Sequence, residues 1–306
     1  EKLQPDWFIL ENVRRMENTV IRNEKNKPEN ILNCMGRRLH PLGYAIRSCI
    51  LDFSCYGVPH HRERLITIGC RIPKITQKIP VRQNIFSRNL SPFHPPPSHG
   101  VRGCHPLVTL RETIGKLSAL DSRTFLKDAQ DPFHCVPRWN EKQYFWMKNT
   151  PEGRSAFDNL ICPECSYKNR KKESVFCEQC GGLLPRPMVV QDGRARLIKG
   201  FKTSYRRMKW DRPASTLTMN SGVISSDVKG HPDQNRVLSL REILLLSTLD
   251  HPRWKKRFLF DGIPYGRMSR NQDFSPKLIR QVVGESIPPL GMARIVDHLL
   301  TMNEEG

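Results

Sequence analysis

The chain has 306 residues, 38% of them hydrophobic, enough for one large domain or two ordinary ones with a packed core. Its 50 lysines and arginines outnumber 30 acidic residues, and the resulting +20 predicts a long-range positive field and an acidic polymer as partner, most simply nucleic acid. No stretch approaches the ~20 apolar residues of a membrane span, and the opening EKLQPDW has no apolar h-region of a signal peptide. A merely soluble basic protein is the bland alternative.

In chain order, residues 1–70 read as α/β. Trp7, Phe8, Ile9 and Leu10 form a strand that ends in the polar triplet Glu11-Asn12-Val13. A helical stretch runs from about Pro28 to Leu39, then a turn at Gly43 leads into a strand, and GVPHHRERLITIG (57–69) ends in another. Strands alternating with helices predict a mostly parallel, doubly wound sheet. From residue 71 to 208 the composition turns irregular and basic, with the proline-rich SPFHPPPSHGVRG and one short amphipathic helix over 108–120. This part reads as a separate, loop-rich module inserted in the larger fold. Regular patterning resumes over 209–306: RPASTLTMN (212–220) reads as a strand, and Ser239 with Glu242 as a capping box ahead of an apolar helix. Ser275 and Pro276 start a further helix that Gly284 closes, and a last helix covers about 290–302.

Ten cysteines in a chain without a secretory signal predict a reducing, cytoplasmic setting and metal binding rather than disulfides. Cys162, Cys165, Cys177 and Cys180, spaced C-x2-C-x11-C-x2-C, can wrap four thiolates around one tetrahedral zinc in a ribbon over 160–184. With no open position, that zinc holds a fold together and does not catalyse; a redox dithiol fits two paired knuckles poorly. Between the knuckles, Lys168-Asn169-Arg170-Lys171-Lys172 is either a solvated tip or a phosphate-contacting finger. The six other cysteines read as ordinary small residues, most of them buried.

Arg62 and Arg64 alternate onto one face at the mouth of an apolar strand, with Glu63 on the other. Glu11-Asn12 at the end of one strand and these arginines at the start of another are expected to converge at one edge of the sheet. A carboxylate facing two guanidiniums is an ion pair first and a binding site second.

The order of the pieces adds a resemblance. Glu11-Asn12-Val13, His60-x-Arg62-x-Arg64, RPASTLT (212–218) and GESIPP (284–289), with a variable basic region between the second and third, resemble motifs of the C-terminal half of the cytosine-5 DNA methyltransferases. The second motif has histidine where that family usually has glutamine, and GESIPP has Glu285 where asparagine is common. The resemblance implies a partial Rossmann-like methyltransferase sheet over 1–70, a target recognition domain over 71–208 carrying the ribbon, and a return to the catalytic domain over 209–306. It implies double-stranded DNA as substrate and a cytosine flipped out of the stack. Addition of a cysteine thiolate to C6 makes C5 nucleophilic toward the methyl group of S-adenosylmethionine. By the same resemblance Glu11 is expected to act at N3, Arg64 to hold O2, Arg62 to orient Glu11 or bind the flanking phosphate, and Glu285 and Ser286 to lie beside the cofactor.

The family's glycine-rich cofactor loop and Pro-Cys nucleophile are not found in the 306 residues. An N-terminal half, fused or supplied by a partner subunit, is therefore expected, with the chain inactive alone and its sheet exposing apolar surface around Trp7, Phe8 and Ile9. A restriction-modification enzyme, cytoplasmic and nucleoid-associated, is the leading expectation. A non-catalytic zinc-containing DNA-binding remnant is the alternative, and a transfer-RNA methyltransferase the weaker third.

Overall fold

A computed structural model describes residues 3–82, 84–201, 203–254 and 275–305. They form two compact units, one of residues 1–107 with 288–306 and the other of 108–287. Both mix helix and strand.

In the first unit, β1 (Trp7–Val13), β4 (Ala45–Asp52) and β5 (Glu63–Cys70) make a three-stranded sheet in the order β1-β5-β4. Between them lie a small ribbon of β2 (Val20–Arg22) and β3 (Pro28–Asn30), then α1 (Ile31–Leu39), capped by the Asn30 side chain on Leu32 N. The expected parallel sheet is corrected: both pairings of β5 are antiparallel. The connection from Asp52 to Glu63 is a short loop with a 3-10 turn, too short for the crossover that parallel neighbours require. Antiparallel order is also what convergence demands. The end of β1 lies beside the start of β5, with Val13 opposite Arg64 and Glu11 opposite Ile66, whereas a parallel pair would put those ends at opposite edges.

Leu32, Tyr44, Ile46, Leu65 and Ile85 fill one core of this unit. Ile85 comes from the segment that was expected to leave the fold at residue 71. That segment instead packs on the sheet: Ser48 N donates to Ile85 O, Ser87 N to Ser48 O, and His94 Nε2 to Ile66 O at 2.9 Å. After the one-turn helix α2 (Pro73–Thr76) it thus continues the first unit as far as Leu107. The terminal helix α7 (Pro289–Glu305) rejoins it, with His298 Nε2 donating to Pro92 O at 2.8 Å. The apolar run of β1 is half-buried rather than bare: Phe8 stacks edge-on against Tyr44, and Trp7 against Phe93. Gly69, opposite Phe8, makes room for that ring, because a Cβ there would fall 2.0 Å from it. Exposure remains at Leu3, Leu10 and Val13.

The second unit is loop-rich, as expected of the middle of the chain, but runs from 108 to 287. Its elements are α3 (Leu110–Ile114), α4 (Glu141–Lys148), the hairpin β6 (Met188–Gln191) with β7 (Arg194–Leu197), α5 (Leu240–Leu246) and α6 (Pro276–Glu285). Residues 209–287 belong here because Trp210, Leu217, Leu238, Ile243 and Val283 share one core with Leu110, Ile114 and Phe133. The Ser239–Glu242 capping box is present, and Ser275 caps α6 with Pro276 at its first position. RPASTLTMN is no named strand. Ser215 Oγ donates to Val228 O and the Lys229 ammonium donates to Thr216 O, so the segment is tied by side chains instead of a ladder. Gly284 does not close α6, which ends at the cap Ser286; it admits the backbone of Thr218 and Met219, 2.2 Å from where its Cβ would stand.

Candidate active site

Glu11 and Arg64 sit diagonally across the β1–β5 ladder on one face, within the reach of long side chains. Their side chains meet at 2.7 Å between Arg64 Nε and Glu11 Oε1, and remain 14% and 21% exposed, so the pair is sheltered yet reachable. Arg64 also donates to Glu63 O, and Glu63 in turn pairs with Arg14 at 2.8 Å, pointing away as alternation predicts. Arg62 is buried, one residue before β5. Burial pushes its guanidinium down to about 10, the Arg64 charge adds to that and the Glu11 carboxylate opposes it, so all three charges feel one another. The sequence-predicted trio is brought together.

Asp52, a residue the sequence reading passed over, fixes the backbone of Arg62. Its Oδ1 accepts from Ser54 N at 3.1 Å and from Arg62 N at 3.0 Å, and its Oδ2 lies 2.9 Å from His61 Nδ1. Burial on its own would raise the Asp52 carboxyl; these hydrogen bonds outweigh it and hold the group down to about 2. An aspartate at a strand end, two residues before a serine, is the available signal, since such side chains cap the turn that follows. His60 is fully buried, and burial pushes it down to about 3, so it is neutral and cannot add a third positive charge. Its Nδ1 is 3.1 Å from His61 O, and its Nε2 has no hydrogen-bond partner among the described residues.

Glu285 and Ser286 belong to the second unit, at the end of α6. Glu285 is exposed and accepts from Gln281 Nε2 at 3.3 Å, while Ser286 N donates to Val282 O and Ser286 Oγ to Val283 O. An exposed carboxylate suits the hydroxyls and positive charge of S-adenosylmethionine, but two groups do not make a pocket. Most contacts to such a molecule must come from other residues.

The four ribbon cysteines gather, with all sulfurs within 4.8 Å of one another. Cys162–Cys180 and Cys165–Cys177 are each 3.6 Å apart. Four sulfurs at zinc–thiolate distance on a tetrahedron stand about 3.8 Å apart, so the set fits zinc. Gln179 N and Gly182 N point at Cys177 Sγ and Cys180 Sγ, both at 3.4 Å, as donors that stabilise thiolates. Short antiparallel bridges, Ile161 with Lys168 and Phe176 with Leu183, close the two knuckles. The tip between them is built, not loose. Arg170 N and Lys171 N both donate to the Glu178 carboxylate, buried Asn169 takes Glu178 N and gives to Leu160 O, and Arg186 donates to the carbonyls of Phe157, Lys172 and Ser174. Of the remaining cysteines, Cys34, Cys49 and Cys70 are buried, Cys55 and Cys135 half-buried, and Cys104 exposed.

No helix among the described residues is long and apolar enough to cross a membrane. Comparison with known proteins finds that residues 1–300 match the family model described as C-5 cytosine-specific DNA methylase. The Type II methyltransferase M1.HgaI of Avibacterium volantium is 29% identical over 99% of this chain and 68% of its own length. The Type II methylase M.HgiDII of Herpetosiphon aurantiacus is 23% identical over 100% of the chain and 67% of its own length. The Type II methyltransferase M.AgeI of Thalassovita gelatinovora is 23% identical over 94% of the chain and 74% of its own length.

Proposed function

We propose, from the premise that this chain belongs to the C-5 cytosine-specific DNA methylase family, that it forms the base-gripping and DNA-reading part of a DNA cytosine-5 methyltransferase of a restriction-modification system. The observation that carries the reading is the sheltered Glu11–Arg64 pair with Arg62 coupled to both. A base extruded from the duplex needs donors and an acid held still before it arrives, and strand mouths supply that rigidity. Glu11 acts at cytosine N3, where electron density builds when a nucleophile adds to C6, and Arg64 holds O2. Buried Arg62 keeps Glu11 oriented by its charge, and Asp52 positions Arg62. S-adenosylmethionine, when bound, supplies the methyl group; Glu285 and Ser286 are the residues of this chain that would help hold it. The thiol nucleophile and the glycine-rich loop come from residues other than these 306, in an N-terminal half or a partner subunit. The ribbon cysteines hold structural zinc, and the second unit reads double-stranded DNA as the target recognition domain.

Co-expression with an N-terminal half that carries those two motifs tests this. Methyl transfer to duplex DNA is expected from the combination, and Arg64→Ala is expected to lower it by about 10²- to 10³-fold, the scale of removing one donor at a developing charge. DNA affinity is expected to change little. An Arg64→Ala chain with unchanged turnover, or a wild-type chain that binds duplex DNA yet stays inert with every such half, overturns the reading in favour of a non-catalytic DNA-binding remnant. Metal analysis is expected to give one zinc per chain, lost on Cys162→Ser with Cys177→Ser.

A further inference from the structure

The second unit holds a cavity of about 620 Å³ that neither the Glu11–Arg64 site nor the zinc reading uses. Lys172, from the ribbon tip, and Lys199 and Gly200, from the irregular segment after β7, stand on its wall with Arg186 and Arg206. Asp158 is the acidic group among its lining residues. Four positive side chains against one carboxylate in a single concavity repel one another unless an anion joins them. Arg186 is committed: its donors go to the carbonyls of Phe157, Lys172 and Ser174, which fixes the wall and the approach of the ribbon. Arg206 is not. Its Nε has no hydrogen-bond partner among the described residues, an unmet donor on a side chain that lines the pocket. Lys172 and Lys199 are exposed and available.

We infer that this pocket seats one phosphate group of a DNA backbone, gripped by Arg206, Lys172 and Lys199, so that the ribbon tip and the β6–β7 hairpin clamp the duplex together. A guanidinium with a fork of donors and two flexible ammonium groups is the set that recognises a phosphate by charge and geometry. Such a contact fixes register and carries no sequence information. The inference rests on the reading of the second unit as DNA-binding.

The test is duplex-DNA affinity of the full chain across a salt series, by fluorescence anisotropy. Each neutralised phosphate contact contributes about 0.9 to the slope of log K against log[salt]. Lys172→Gln and Lys199→Gln, both at exposed positions that leave folding intact, and Arg206→Gln are each expected to lower the slope by part of that single contact, the triple variant by about 0.9, and all of them to weaken all duplexes alike. Lys25→Gln, an exposed charge removed from the first unit, is expected to leave it unchanged. A wild-type chain that binds with the slope untouched in all three variants overturns the pocket alone. A wild-type chain with no affinity for duplex overturns the DNA reading and the pocket with it. Stabilisation of the wild type by inorganic phosphate over chloride at equal ionic strength, with no change of DNA slope in the variants, assigns the pocket to a free anion and likewise overturns the inference.

Discussion

Two ion pairs of nearly equal length sit in opposite settings in the two units. Arg64 and Glu11 meet at 2.7 Å with both side chains partly exposed; Arg236 and Glu242 meet at 2.6 Å with side-chain exposures of 1% and 0%. The second pair is saturated. Arg236 gives two hydrogen bonds to the Glu242 carboxylate and others to Gln234 and Val237 O, and Glu242 also takes Ser239 N as the return half of the capping box on α5. Nothing is left over to bind a ligand. The first pair keeps part of each side chain open to solvent, where strands β1 and β5 meet. Depth and saturation, more than chemistry or distance, separate a structural ion pair from a candidate functional one.

The sharpest way to break this comparison is to remove one partner of the saturated pair. Glu242→Gln leaves Arg236 buried without its counter-charge and is expected to destabilise the chain by about 3–5 kcal/mol in a denaturant titration, whereas replacing both partners by apolar residues of similar volume should recover most of it. A loss no larger than that of an exposed pair would erase the distinction.

Acid offers a second, intermediate test. Burial alone would raise the Glu242 carboxyl, but the Arg236 charge and hydrogen bonds outweigh it and bring it down to about 2 from an ordinary 4.5. A lowered carboxyl contributes stability that is complete above its unfolded value and is lost as the pH falls through its folded one. Thermal stability is therefore expected to fall between about pH 4.5 and pH 2, and more gently in Glu242→Gln, where Asp52 and Asp233, both held down to about 2, still titrate. Identical acid profiles for the two chains would remove Glu242 from the explanation.

The smallest effect is the most telling. Arg64→Ala, which is expected to cripple methyl transfer, should cost less stability than Glu242→Gln, because the Glu11 carboxylate it leaves behind keeps some access to water. A loss of several kcal/mol would place Glu11 and Arg64 with the structural pairs.

Much of this was legible in the sequence where the signal is local. The HxRxR spacing ahead of an apolar run, the paired CxxC knuckles and Ser239 three residues before Glu242 each specify their own geometry within a few residues. Strand direction was not legible. Period-two alternation marks β1, β4 and β5 as strands but carries no record of which neighbour each pairs with or in what sense. Nor were the limits of the units, because they rest on contacts between distant residues. Arg207 is the clearest case: buried in the second unit, it donates to Thr150 O, Met147 O, His231 O and Asn235 Oδ1, binding segments up to 60 residues away. The change of patterning near residue 208 does not announce that role. RPASTLT misled for the same reason, since side-chain bonds from Ser215 and Lys229 replace the ladder its residue types suggest.

The way the ribbon tip is held bears on how such a protein diversifies. Its backbone is fixed from within, by the Glu178 carboxylate, by Asn169 and by Arg186. The side chains of Lys168, Arg170, Lys171 and Lys172 make no hydrogen bond among the described residues. Scaffold and display are thus carried by different residues: one set keeps the loop's shape while the other is open to exchange at little cost in folding. A lineage can rewrite what this tip presents to its surroundings without having to solve the folding problem again.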